Sequence, residues 1–261
     1  MAPLGLPGGW HSVVHPLVST RQLCRSGQSF RISRQPEEEG PQVRVLGEEE
    51  TAALVSQFEA RGPAFRSLQR YVDFLQEVDR EVHLLEERHR AHLRCAPGCD
   101  TCCRVSRTVL PIEALRLWLA LQQMPEGWSK PRPRRRECPL LLDHRCMLYP
   151  ARPVLCRTHG LPLLYIVRDQ PTVSFCPLNF RDWPHAQFRP EQVLDMEQIN
   201  ATLFSINREF VLGELQSKFR DTDRVRLWTL LELSPKPSPT CDPPPRPDSS
   251  SPSTPGDPAQ P

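Results

Sequence analysis

Cysteine carries most of the potential chemistry in this chain, and it is unevenly spread. Eight of the ten cysteines fall between Arg94 and Cys176. The segment opens on Cys95-Ala-Pro-Gly-Cys99-Asp-Thr-Cys102-Cys103. It runs on through Cys138-Pro139 and Cys146 to Tyr149-Pro-Ala-Arg152-Pro153-Val-Leu-Cys156-Arg157, and it closes on Cys176-Pro177. A thiolate is a soft, charged ligand that zinc and iron accept readily, so thiols at this density either chelate metal or pair as disulfides.

Spacing narrows the choice. Cysteines two or three residues apart on a tight turn can present sulfurs to one ion, and Gly98 gives the first loop a permissive backbone. Adjacent residues cannot easily point the same way, so of Cys102 and Cys103 one is expected to close the first site and the other to face a second site or the core. Proline follows Cys138 and Cys176 directly and precedes Cys156 by three, a stiffening also met beside iron–sulfur ligands. Arg152 and Arg157 bracket Cys156, where cations would lower thiol pKa values and offset thiolate charge. His144 and His159 could each replace a thiolate, although a histidine beside cysteines more often hydrogen-bonds to the ligands. Cys24 and Cys241 are read as free thiols. The expected metal ligands are Cys95, Cys99, Cys102, Cys103, Cys138, Cys146, Cys156 and Cys176, with zinc or iron, an iron–sulfur cluster included, as the bound species.

The combined pattern resembles the YkgJ-type cysteine-cluster family. It is carried by Cys95-x3-Cys99-x2-Cys102-Cys103, then Cys138-Pro139-Leu140-Leu141, then Cys146-Met-Leu-Tyr149-x2-Arg152-Pro153-x2-Cys156-Arg157. The likeness covers about residues 94–180, and Ile206-Asn207-Arg-Glu-Phe210-Val211 resembles the family's C-terminal segment. Pro150 departs from the polar residue more usual there. The resemblance implies a zinc- or iron-chelating domain with the matched cysteines as its metal residues. It is also similar to the cysteine-rich part of flagellin lysine N-methylases, which implies protein-lysine methyl transfer as the alternative function. No glycine-rich strand–turn–helix for a nucleotide-like cofactor accompanies it, and no Gly-x-Ser-x-Gly or His-Glu-x-x-His motif is present.

The elements that must position these thiols read as helices. Thr51, Leu54, Val55 and Phe58 begin a helical pattern that Gly62-Pro63 interrupts. Phe65, Leu68, Val72, Leu75, Val78, Val82 and Leu85 then mark one apolar face of a helix running toward Leu93 and straight into Cys95. A second helix is expected from Pro111, which suits a first turn, with Glu113 at its positive end and Leu115, Leu117, Trp118, Leu119, Leu121 and Gln122 on its face. Leu161 to Val167 and Val173-Ser-Phe175 read as a hairpin across Arg168-Asp-Gln-Pro171. Pro190-Glu191 is expected to open a helix through Leu194, Ile199, Leu203, Ile206, Phe210, Val211 and Leu215 to about Phe219, with Asn200 and Asn207 as surface or capping amides. Val225 to Leu233 adds a short helix. The fold class is therefore mainly α, a small helical domain organised around a cysteine-rich metal site, with one short β-hairpin.

The ends differ in composition. Thirty prolines stand against twelve glycines, and from Pro235 onward Pro and Ser dominate with almost no aliphatic residues to bury. Residues 1–45 mix Gly, Pro, Ser and Arg. The expected organisation is a loosely ordered leader over 1–45, a cysteine-cluster domain over 46–234 and a disordered tail over 235–261. That leaves about 190 residues for one core.

Composition limits function further. A formal net charge of +2 gives no support for nucleic-acid binding, and the basic loop Lys130-Pro-Arg132-Pro-Arg134-Arg135-Arg136 has no interleaved aromatics. No apolar run approaches the ~20 residues that span a bilayer. There is no basic start followed by an apolar core for secretion, so a cytoplasmic, reducing location is expected, where clustered cysteines hold metal more often than they pair. The lack of acidic residues before Glu37 gives organelle import as the weaker alternative. The expected partner is the metal ion, with a protein partner on the helices or the proline-rich tail left open.

Overall fold

The computed structural model describes residues 31–32, 43–125, 128, 130, 137–183, 188–215 and 218–234. Cys24, Cys241, most of the leader, the basic run 131–136 and the tail lie outside the described residues.

Helices dominate. Helix α1 spans Glu48–Arg61. Its start is fixed locally, with three glutamates in the first turn and the Gly47 N–H donating to Glu50 Oε2 at 3.0 Å. Gly62, at φ 53°, ends it, as the Gly-Pro pair predicts. Helix α2 spans Arg66–His89. It stops four residues short of Leu93, and a turn through residues 90–93 leads into the cysteines. Its buried face is Leu68, Tyr71, Phe74, Leu75, Val78, Val82 and Leu85. Val72 is only half-buried, because the buried face runs through its neighbours Tyr71, Phe74 and Leu75.

The start of α2 carries no local cap. Glu214, distant in sequence, accepts from the N–H groups of Arg66 and Ser67 at 2.8 Å each and so satisfies donors that a first helical turn leaves open.

Strand β1 (Arg31–Ile32) precedes these helices, and β2 (Thr108–Val109) leads into helix α3 (Pro111–Gln122). Pro111 occupies the first turn as expected. Glu113 does more than complement a helix dipole, since it is only 4% exposed. The face is also broader than read: Ile112 and Ala114 are buried with Leu115, Leu117, Trp118 and Leu121, whereas Leu119 is half-buried and Gln122 exposed.

Two short hairpins follow. Strands β3 (Leu141–Leu142) and β4 (Arg145–Cys146) pair antiparallel around Asp143 and His144, both at positive φ. Helix α4 is a single short turn, Val154–Thr158. Strands β5 (Leu163–Val167) and β6 (Gln170–Ser174) form the expected hairpin, closed by Arg168 and Asp169, again both at positive φ. Paired positive-φ residues give a turn whose twist matches that of the strands. Strand β7 (Leu194–Asp195) adds to β5 in parallel and β1 to β6 in parallel, giving the order β1-β6-β5-β7.

The helix expected from Pro190 begins later. Pro190–Gln192 is one 3-10 turn, and helix α5 starts at Met196 and runs to Glu209. Asp195 caps it by accepting from Glu197 and Gln198 N–H, a stronger start than Pro-Glu. Its last turn widens into a π-turn at Phe210–Glu214, short of Phe219. Asn207, read as a surface or capping amide, is fully buried and acts as a cap. Its Oδ1 accepts from Ile112 N–H at 3.2 Å and its Nδ2 donates to Asp221 C=O at 2.7 Å. Strand β8 (Val225–Arg226) pairs antiparallel with β2, and α6 (Leu227–Leu233) closes the described chain.

One apolar cluster joins α1, α2, α3, α5 and α6 through residues such as Phe58, Tyr71, Trp118 and Phe210. The Phe65 and Phe210 rings meet edge to face at 5.1 Å. The mainly α expectation holds, with three small sheets added to it. No helix among the described residues is long and apolar enough to cross a membrane.

Asn207→Leu removes the only side-chain partners of one buried N–H and one buried C=O named above. It is expected to lower the unfolding free energy by about 1–3 kcal/mol, measured as a reduced urea midpoint with an unchanged slope.

Candidate metal centre

All eight clustered cysteines line one cavity of about 590 Å3, together with His144 and His159. Short, irregular pieces of chain deliver them. Cys95 and Cys99 sit on the loop after α2, Cys102 and Cys103 in a 3-10 turn, Cys146 on β4 and Cys156 on α4. Such pieces have little stability of their own, so contacts from the helices hold them.

Glu113 ties α3 to the chain around Cys156. One of its oxygens accepts from Leu110 N–H at 3.0 Å and the other from Val154 N–H at 3.1 Å. Arg157 is nearly buried and clamps α4 to α2, with its guanidinium 2.5 Å from Asp79 and bonded to the carbonyls of Arg152 and Pro150. Cys138 N–H donates to Cys103 C=O at 2.7 Å, joining the first cysteine loop to the second. Asn179, buried, accepts from Arg94 N–H and donates to Gly160 C=O at 2.7 Å, and its Nδ2 lies 3.5 Å from Cys95 Sγ. Gly160 has φ 104°, and a Cβ there would stand 3.0 Å from Cys95 Sγ, so a side chain is excluded both by conformation and by the sulfur.

The cysteines fall into two neighbourhoods. Cys95 feels the charges of Cys176, Cys99 and Cys102. Cys103 feels Cys138, Cys156 and Cys146. Cys102 also reaches Cys138 and Cys146, which places it at the junction. Cys102 and Cys103 interact with each other, which holds the Cys102 thiol well above the ordinary range and pulls Cys103 down.

Burial, more than nearby arginines, sets four of the thiols. It pushes Cys138 up to about 11 and Cys156 to about 12, and raises Cys95 and Cys146. Arg157 does not serve the cluster as expected, because Asp79 claims its charge. Arg152 does favour the Cys146 thiolate, while its guanidinium lies over the Tyr149 ring, 3.5 Å from the centroid, which accounts for the Tyr-x-x-Arg spacing. Arg107 is a cation that acts on three of the sulfurs. It donates to Cys102 C=O at 3.2 Å and opposes the raised pKa values of Cys102, Cys138 and Cys156. Sequence reading passed over Arg107, Asn179 and Gly160; only the Pro-Leu-Asn run after Cys176 hinted at one of them.

The two histidines differ. His144 Nδ1 is 2.7 Å from Asp100 Oδ2, and Arg104 grips the same carboxylate through both oxygens. This leaves Nε2 as the open ring nitrogen, the carboxylate–histidine arrangement common behind metal ligands. His159 has no such partner, and burial beside Arg107 lowers its pKa.

All eight cysteines are free thiols. Among the described residues, no three His, Cys, Asp or Glu side chains stand in an arrangement that would hold an ion as they are. The donor set nonetheless suits zinc or iron, since it offers sulfur in quantity, water-poor walls and nearby cations to offset thiolate charge.

Residues 94–174 match the model of the CxxCxxCC family, whose description is "Putative zinc- or iron-chelating domain". All the clustered cysteines but Cys176 lie within the matched residues. No curated protein and no solved structure matches the chain.

Raised thiol pKa values mean that the metal-free fold prefers neutral sulfur. That contribution to stability is complete below the ordinary thiol value of 9.0 and is lost as pH climbs toward about 11 and about 12. With chelator present, the urea midpoint is expected to fall as pH rises above 9. With zinc present the trend reverses, because ligation requires deprotonation and releases protons. A pH-independent midpoint in chelator would contradict the buried-thiol assignment.

Proposed function

We propose that the chain is a metal-binding protein in which the eight clustered cysteines act as two four-sulfur groups. Cys95, Cys99, Cys102 and Cys176 form one, and Cys103, Cys138, Cys146 and Cys156 the other, meeting at the Cys102–Cys103 pair. The observation that carries this reading is the shared cavity of about 590 Å3 onto which all eight open. The split follows the electrostatic neighbourhoods of Cys95 and Cys103. His144, oriented by Asp100, is the reserve ligand.

Four sulfurs suit either tetrahedral zinc or an iron–sulfur cluster. In either case bound metal would cross-link the loop after α2, the β3–β4 hairpin, α4 and the segment after β6, so its binding energy adds to that of the folded domain. This makes structural cross-linking the role best supported. The lysine-methylating alternative draws nothing from the family match, whose description is chelation. Free thiols in this number suit a reducing compartment such as the cytoplasm. The organisation into a leader, a cysteine-cluster domain over 46–234 and a Pro/Ser-rich tail belongs to the same reading.

Anaerobic purification with metal analysis and an absorption spectrum tests it. A colourless protein with two zinc ions per chain, or a brown one with iron and acid-labile sulfide, is the expected result. Cys99→Ser should lower the metal content at the first group and Cys156→Ser at the second. Full metal content in both variants would overturn the ligand assignment.

A further inference from the structure

A second cavity, of about 210 Å3, shares Arg107, Pro153, Leu155, Cys156 and Leu227 with the thiol cavity. It opens past Phe204, which is 40% exposed, and its buried wall includes Val109, Leu110, Val154 and Leu203. Arg107, Thr108, Tyr165, Asn200 and Arg224 add polar side chains to this lining, as does the Glu113 carboxyl.

Arg224 is the unusual member. Its backbone is pinned, with its N–H donating to Arg44 C=O and its C=O accepting from Leu46 N–H, at 2.9 Å each. Its half-buried guanidinium has no hydrogen bond or ion pair among the described residues. The closest described contact is the face of Phe204, 5.5 Å from the centroid. Burial lowers its pKa, and Glu113 alone opposes this. Both Glu113 oxygens are already taken by Leu110 and Val154 N–H, so that carboxylate is not available to close on the guanidinium. The side chains of Asn200 and Tyr165 likewise have no hydrogen-bond partner among the described residues.

A cation withdrawn from water is costly unless an anion meets it. Here Asn200 and Tyr165 offer further donors, Arg107 is already bonded to Cys102 C=O, and much of the remaining lining is apolar.

We infer that this cavity binds a small organic carboxylate, with Arg224 gripping the carboxylate, Asn200 and Tyr165 adding donors, and a short aliphatic or aromatic body lying against Val109, Leu203 and Leu227. The planar guanidinium fork matches a carboxylate in two parallel bonds. A phosphate dianion fits less well, because it brings a second negative charge into a half-buried, largely apolar pocket beside the buried Glu113 carboxyl. The volume is below the roughly 300 Å3 at which drug-sized sites begin, so the ligand is small. The site is distinct from the metal reading, although Cys156 borders both cavities.

Calorimetric titration of the full chain with acetate, isovalerate and benzoate, and with inorganic phosphate for comparison, tests this. Saturable one-site binding of isovalerate or benzoate is expected, with acetate weaker for want of a body to fill the apolar wall. Arg224→Met should weaken binding at least about tenfold, the effect of losing a charge-assisted pair, while leaving metal content as in the parent. Arg224→Lys keeps the charge and the packing but not the fork, and should still lose most carboxylate affinity. Unchanged carboxylate binding in both variants, no saturable binding in the parent, or tighter binding of phosphate than of any carboxylate would overturn the inference. Metal content measured on the same samples separates this outcome from failure of the cysteine site.

Discussion

The buried carboxylate of Glu113 is the constraint on which the two cavities depend. One of its oxygens holds the N–H of Leu110, just before α3, and the other holds the N–H of Val154 at the start of α4. Cys156 sits two residues beyond that second bond. A carboxylate in an apolar interior is costly unless its oxygens are occupied, so the bonds are geometrically demanding. They set the distance between the helical core and the short α4 turn that forms a wall of the thiol cavity and of its neighbour. The same commitment leaves Arg224 without a direct anionic partner.

Around that anchor, the fold separates rigidity from chemistry. The long helices bury the apolar mass, and the cysteines ride on turns and two-residue hairpins too short to persist alone. Arg157 and Asp79, Asn179 with Arg94 and Gly160, and the Cys138–Cys103 backbone bond are the ties between the two parts. Each joins residues far apart in the chain, which is why the thiols share a cavity without standing in a finished coordination shell. Bound metal would supply the remaining order, and thiols held neutral by burial would yield their protons to it.

Much of the helical frame was legible because its signals are local. The faces of α1 and α2, the stop at Gly62, the proline start of α3 and the β5–β6 hairpin all follow from periodicity or turn chemistry within a few residues. Misreadings arose where a distant group intervened. Pro190-Glu191 looks like a helix start, yet β7 pairs with β5 first and Asp195 provides the better cap. Asn207 reads as a surface or capping amide; it does cap α3, but from a buried position that also reaches the loop before β8. Arg157 flanks a cysteine in sequence and serves Asp79 in space, while Arg107, unremarkable in the linear pattern, faces the sulfurs.

The amino-acid sequence by itself determined the helical class and the density of soft ligands of the kind that zinc and iron accept, because residue type and short-range spacing encode these directly. Only the tertiary structure decided that the thiols share one cavity and that Arg107 faces them. Those properties arise from burial and from contacts between segments as much as a hundred residues apart, and no local pattern in the chain records such contacts.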